Sequence, residues 1–245
     1  MGGRLYVVGV GPGSPRLRTP AAVEAIKDSE VVIGYETYVS LIEDLLDGKE
    51  VRRYKMREEL ARAEAAIMEA MRGRRVALVS GGDPQVYGMA PLVFEIIAKR
   101  GAEVDVEVVP GVTAALAAAA RLGAPLGHDF AVINLSDLLT PREVILKRVA
   151  AAAAAGFVLA LYNPIDLSLL REALAILKEV LGPRVAVGIV KNAYRPGEWA
   201  WVGPLGELDH SVVDMRTTVI VGNLDTFLWG RYMITPRGYS NKYVI

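Results

Sequence analysis

Apolar residues run through the first half of the chain in short β-branched blocks, separated by longer stretches in which they recur every three or four positions. RLYVVGV (Arg4 to Val10), EVVIGY (Glu30 to Tyr35), RVALVS (Arg75 to Ser80) and Val104 to Val109 are the blocks. Runs of this length and β-branched content read as strands covered on both faces. Between them, TPAAVEAIKDSE (Thr19 to Glu30) predicts a helix with Thr19 at its N-cap and Pro20 in the first position. Arg57 to Gly73 has helical spacing and ends at a glycine suited to a C-cap, and Pro91 to Arg100 supplies another helix. Buried strands spaced by helices predict a parallel α/β sheet.

Val112 to Leu122 reads as an alanine-rich helix, followed by the turn-rich GAPLGH (Gly123 to His128). A domain boundary is expected there, dividing residues 1–124 from 125–245. The second half resumes with FAVINLS, a helix after Pro141, the strand FVLALY, a helix around Leu169 to Leu181, and the strand VAVGIV. WAWVG and TTVIVG add further strand-like runs, and no repeat of fixed period is visible. The alanine tracts read as close helix packing.

The strand ends carry the chemistry. VGVGPGSP invites a dinucleotide reading, and Glu36 would imitate its ribose-binding acid. Yet Ser14 stands where the third glycine belongs, and Pro12 removes an N–H that a pyrophosphate cradle needs. GGDPQVYGMA (Gly81 to Ala90) leaves two readings open. Gly81 and Gly82 would let a flat ligand approach the main chain and its N–H groups, or Asp83-Pro84 is a turn whose carboxylate bonds only backbone. VVPGVTAA (Val108 to Ala115) is a third strand, Pro-Gly turn and helix start, so three Gly-rich strand ends suggest one shared pocket.

Composition narrows the partners. Lys+Arg 28 balances Asp+Glu 28, which offers no global field for nucleic acid or an anionic membrane. With no cysteine and only His128 and His210, thiolate chemistry and a protein-held transition metal are not expected. MGGRLYVVGVG runs straight into a strand, and no apolar stretch reaches the roughly 20 residues of a spanning helix, so a soluble cytoplasmic protein is expected.

VGVGPGSP, GYETY, SGGDPQVYGMA, VVPGVTAA, GAPLGHDFAVINLSDLLTP, ALYNP and TPRGY together resemble the tetrapyrrole methylases. Within that family the likeness is to the precorrin-3B C(17)-methyltransferase and cobalt-factor III methyltransferase branch of cobalamin biosynthesis. It spans Leu5 to Tyr239; the glycine loop and GGDP belong to the whole superfamily, whereas DLLTP, LYNP and TPRGY narrow it to this branch. The resemblance implies two α/β domains, with a mostly parallel sheet in the first and a mixed sheet in the second. It implies S-adenosylmethionine, leaving as S-adenosylhomocysteine, in a cleft between them. Carried over by motif, the cofactor contacts are Pro12, Gly81, Gly82, Asp83, Val86, Thr113, Ala114, Asn163 and Ala193. Asp83 would accept from the cofactor's polar groups or face its sulfonium.

The implied reaction methylates carbon 17 of precorrin-3B or cobalt-factor III with ring contraction. The electrophile is already activated, so alignment in a dry pocket is the main task. Tyr35, Asp83 and His128 are the catalytic candidates for moving protons. Tyr35 stands where related uroporphyrinogen methylases carry an aspartate, and packing or stacking in the cleft is its alternative role. His128 with Asp129 either relays protons or forms a turn bonded to its own backbone, and Asp137 is read as a helix cap. The macrocycle's carboxylate arms would meet Arg16, Arg18, Lys191, Arg195 and Arg237. Met89 and Met215 line the ring surface or belong to the core. Cobalt would arrive with the substrate, and the family pairs as homodimers. Rival readings keep the fold with another substrate (a different precorrin carbon, diphthamide or ribosomal RNA), or make the chain a non-catalytic tetrapyrrole carrier.

Overall fold

The apolar blocks become strands and the periodic stretches become helices. In the first half these are β1 (Arg4–Gly9), α1 (Pro20–Asp28), β2 (Val31–Tyr35), α2 (Glu36–Val39), β3 (Glu50–Tyr54), α3 (Glu59–Met71), β4 (Arg75–Ser80), α4 (Ala90–Arg100) and β5 (Asp105–Val109). The computed structural model describes residues 3–244; Met1 and Gly2, which open the N-terminal stretch, and Ile245 lie outside it. The five strands form one parallel sheet in the order β3-β2-β4-β1-β5. Alternate side chains of the central strands serve opposite faces. Leu5, Val7, Val76 and Leu78 pack with Ala63, Ala66 and Ile67 of α3 and Val93 of α4. Tyr6, Val8, Ala77 and Val79 pack with Ala22 and Ile26 of α1. Both faces of the central strands are therefore apolar, which is why their blocks do not alternate; the edge strand β5 does, with Asp105 and Glu107 exposed. Thr19 caps α1 as expected, its hydroxyl accepting from the Ala22 N–H at 3.1 Å.

β3 is absent from the sequence reading because EVRRY offers no apolar block. It is an edge strand, where charge is tolerated and discourages pairing with other chains. Arg52 and Arg74 bind Glu50 and the buried Glu69 there.

The chain divides into units 1–114 and 115–245, one helix earlier than the boundary expected at 124/125. The reason is packing of α5 (Ala114–Leu122) within the second unit: a Cβ on Gly188 would meet Leu122 Cδ1 at 2.6 Å. The rest of the unit is β6 (Gly123–Ala124), β7 (Phe130–Asn134), α6 (Arg142–Ala154), β8 (Val158–Tyr162), α7 (Leu167–Leu181), β9 (Ala186–Lys191), β10 (Trp199–Pro204), β11 (Thr217–Val221), β12 (Phe227–Trp229) and β13 (Tyr232–Ile234). Its main sheet runs β10-β9-β11-β8-β7, with β7 and β8 parallel and the other pairs antiparallel. This is the expected mixed sheet. β12, β13 and β6 form a separate small sheet whose strands, of two or three residues, are too short for an apolar pattern to mark. Asp137 does not cap α6. Pro141 holds that position without a side-chain bond, and Asp137 lies 3.9 Å from the Arg142 guanidinium.

Candidate active site

β1, β4 and β5 are neighbours, so the Gly-rich stretches that follow them converge at the carboxyl edge of the first sheet. That edge is where open α/β sheets bind ligands. The convergence is backbone on backbone. Gly11 and Gly82, at φ +74° and +65°, exchange two hydrogen bonds: the Gly11 N–H donates to the Gly82 carbonyl at 3.1 Å, and the reverse bond is 2.9 Å. A Cβ on Gly9 would stand 2.7 Å from the Gly82 oxygen, and one on Gly111 would overlap that same atom. Asp83 closes the cluster, one carboxylate oxygen accepting from the Gln85 N–H at 2.8 Å and the other from Gly111 at 3.0 Å. The three loops are locked together.

Two expectations change. The Gly82 N–H is engaged by Gly11 rather than offered to a ligand. Asp83 is a fastener: both oxygens hold main-chain donors, so its place among the acid–base candidates is withdrawn in favour of the Asp-Pro turn.

The space left by Gly81 is also used internally. A Cβ there would fall 2.5 Å from the Tyr38 ring, and Tyr38 meets Tyr35 edge-to-face with centroids 5.3 Å apart. The tip of β2 thus carries an aromatic wall. Thr113 and Ala114 pass beside Gly82, with the Thr113 Cα 3.5 Å from where a Gly82 Cβ would be. Val86 is half-buried and its N–H donates to the Asp83 carbonyl at 3.3 Å; Pro12 is buried. The structure therefore gathers Pro12, Gly81, Gly82, Asp83, Val86, Thr113 and Ala114 at one edge.

In the second unit β8 and β9 both run antiparallel to β11, so their carboxyl ends share an edge. Asn163 follows β8 with φ +51° and donates from Nδ2 to the Asn134 side chain at 3.0 Å. Ala193 follows β9 between Asn192 (φ +51°) and Tyr194 (φ +58°). Lys191 ends β9 and pairs with Asp214 at 2.8 Å; with Trp199, Ser211 and Val212 they line a cavity of about 380 Å³. Burial pushes the Asp214 carboxyl up, but Lys191, Arg216 and Thr217 outweigh it and hold the group at about 2.

The remaining candidates separate sharply. Arg18 is buried, bonded to both Asp44 oxygens at 2.8 and 2.9 Å and to the Leu41 carbonyl, so it braces the glycine loop instead of meeting substrate. Arg16 and Arg237 are exposed, and Arg195 closes a turn with its N–H on the Asn192 carbonyl at 2.9 Å. His128 accepts the Asp129 N–H on Nδ1 at 2.8 Å, the backbone-bonded turn rather than a relay. Met89 is core, whereas Met215 is exposed.

Residues 4–209 match the family of tetrapyrrole (corrin/porphyrin) methylases. The chain belongs to this family. It is 46% identical over 239 residues to the probable cobalt-factor III C(17)-methyltransferase of Salmonella typhimurium, covering 96% of this chain and 99% of that protein. It is also 46% identical over 251 residues to the precorrin-3B C(17)-methyltransferase of a Sinorhizobium species, covering 98% of each. Among solved structures, the methyltransferase CobJ is similar at TM-score 0.91 and 39% identity, over 96% of this chain and all of that one. The uroporphyrin-III C-methyltransferase of Thermus thermophilus, solved with S-adenosylhomocysteine, is similar at TM-score 0.68 and 27% identity, over 91% and 98%.

The chain is thus an α/β methyltransferase, as its motifs implied. In this tetrapyrrole methylase the motif glycines serve loop packing first, a role their spacing did not announce. Tyr38 has no role legible in the sequence although it lies inside GYETY, because nothing in that string says its ring covers Gly81. Arg121 and Glu198, which brace the turn around Ala193, carry no motif at all.

Proposed function

We propose that this methylase transfers the methyl group of S-adenosylmethionine to carbon 17 of a precorrin-3-type macrocycle, cobalt-factor III or precorrin-3B, with ring contraction, in cobalamin biosynthesis. The carrying observation is the end-to-end alignment with proteins named for that position. The chemistry of the first edge agrees. Buried Pro12 and the engaged Gly82 N–H make a poor phosphate cradle, and S-adenosylmethionine has no phosphate. Val86, Thr113 and Ala114 offer small, half-buried surface; Asn163 presents left-handed main chain, and Ala193 lies between the left-handed Asn192 and Tyr194.

The cofactor supplies an activated methyl, so this chain's residues orient and exclude water. Tyr35 acts as wall: its ring is packed against Tyr38. Arg16, Arg195 and Arg237 are the donors for substrate carboxylates, and Lys191 joins them by exchanging Asp214 for an arm of the macrocycle. Cobalt is cargo of the substrate. The exposed Leu224, Phe227 and Trp229 around β12 support a homodimer, and the protein works in the cytoplasm.

Anaerobic incubation with S-adenosylmethionine and, in parallel, cobalt-factor III and precorrin-3B, read by mass spectrometry, tests the assignment. A product one methyl heavier from one substrate establishes methyl transfer and the route, and NMR of that product locates the methyl and the contracted ring. If neither gains a methyl while S-adenosylhomocysteine binds, the substrate assignment fails. Tyr35→Phe keeps kcat within about threefold, since the ring rather than the hydroxyl is used.

A further inference from the structure

Left-handed backbone at a residue with a side chain persists only where the surroundings over-determine it. Among the described residues, the non-glycine positions of this kind are Arg57, Tyr87, Asn163, Asn192 and Tyr194, and the last two bracket Ala193. The Asn192 N–H donates to the Arg216 carbonyl at 3.0 Å, and its side-chain amide reaches the Gly197 carbonyl at 3.3 Å. Arg195 and Glu198 close successive turns, donating to Asn192 and Arg195 carbonyls at 2.9 and 3.1 Å. The remaining constraint comes from a different element. Arg121, in the last turn of α5, lays its guanidinium over the Tyr194 ring at 3.8 Å from the centroid. Its Nε donates at 2.9 Å to the Glu198 carboxylate oxygen that also accepts the Tyr194 N–H.

We propose that Arg121 is a positioning residue for the cofactor: it grips Tyr194 by both ring and, through Glu198, main chain, and so fixes the peptide units on either side of Ala193. The inference rests on the reading that Ala193 touches S-adenosylmethionine. Only arginine fits the role, because a planar guanidinium stacks on the ring while keeping an N–H for the carboxylate; a lysine ammonium satisfies one contact at a time. Without it the turn relaxes toward ordinary φ values and the Ala193 amide and carbonyl change direction.

The test compares wild type with Arg121→Ala, Arg121→Lys and Ala193→Leu. It reads S-adenosylhomocysteine affinity by calorimetry, KM for each substrate, and the urea midpoint. Arg121→Ala is expected to weaken S-adenosylhomocysteine about tenfold and raise KM for S-adenosylmethionine in step, the loss expected of one partly exposed cation–π contact with its ion pair. KM for the macrocycle, whose carboxylates Arg195 of the same turn would meet, rises by less, and the urea midpoint stays near wild type. Arg121→Lys recovers part of the affinity, and supplies a folded comparison should the alanine variant unfold. Ala193→Leu abolishes binding. Wild-type affinity in both Arg121 variants, with Ala193→Leu still inactive, makes Arg121 a fold brace and overturns the proposal alone. An equal rise in macrocycle KM overturns it too. If Ala193→Leu binds normally, the cofactor reading of Ala193 fails and the proposal goes with it.

Discussion

Both units turn the chain sharply at the carboxyl ends of their strands, and they do so by opposite means. In the first, the left-handed positions facing each other are Gly11 and Gly82, joined by two main-chain hydrogen bonds and sealed by the Asp83 carboxylate. In the second they are Asn163, Asn192 and Tyr194, whose side chains are held by Asn134, Gly197 and Arg121. Glycine enters such a conformation without steric strain but surrenders more freedom on folding. A side chain there is strained, at a cost of roughly 1–2 kcal/mol per residue, and must be fastened. The Gly11–Gly82 pair is set by close main-chain packing, and the left-handed residues of the second edge by side-chain contacts. Each should break in its own way.

The largest effect is expected where volume alone decides. Gly111→Ala puts a methyl into the Gly82 carbonyl oxygen and against Gly9, with only main chain to give way. A loss of about 3 kcal/mol or more in urea unfolding is expected, the upper range for overpacking. A midpoint near wild type would show that main chain does not fill the space beside Gly111. Gly82→Ala sharpens the point from the other side. Its methyl would meet nothing nearer than the Thr113 Cα at 3.5 Å, so only the positive φ is penalised. A smaller loss of about 1–2 kcal/mol is expected; equal losses in the two variants would deny that volume and torsion can be separated here.

The same contrast explains what could be read in advance. Glycine is visible as a letter, so VGVGPGSP, GGDP and VVPG marked the first edge correctly, and the apolar blocks marked the strands behind it. What the letters did not carry was the purpose of each glycine. Gly81 makes room for Tyr38 and Gly111 for the Gly82 carbonyl, contacts between segments far apart in sequence. The second edge was harder still. Its fastening pairs, Arg121 with Tyr194 and Glu198 and Lys191 with Asp214, join residues with no periodic relation. Arg18 shows the converse. A basic residue in a Gly-rich loop looks like a ligand donor, yet its charge is turned inward onto Asp44.

Asn192 offers a milder break of the second edge. Asn192→Gly relieves the torsional strain, a gain that nearly cancels against the lost bond to Gly197 and the looser unfolded chain, so a change within about 1 kcal/mol is expected. Asn192→Ala loses the bond and keeps the strain, and should cost about 1 kcal/mol more than the glycine variant. The order is the same as at Gly82, where the left-handed backbone also makes alanine worse than glycine. If alanine proved better than glycine at 192, the left-handed turn would not be the state that the side chains maintain.

Acid should loosen the second edge by the smallest amount. Asp214 titrates at about 2 in the fold against an ordinary 3.8: burial opposes its charge, and Lys191 at 2.8 Å, with Arg216 and Thr217, more than compensates. A carboxyl depressed by folding stabilises the protein fully above its unfolded value and loses that contribution as pH falls through the folded one. The window is therefore pH 4 down to about 2. Asp214 is a third exposed, so screening keeps the effect below about 1 kcal/mol. Trp199 lines the same cavity, and its fluorescence would report the loosening directly. The main-chain pair of Gly11 and Gly82 has no charge to lose, so the difference between wild type and Asp214→Asn across this window isolates the side-chain fastening. Identical acid curves for the two proteins would mean that Lys191 holds the end of β9 by packing, and that the two edges differ less in kind than their backbones suggest.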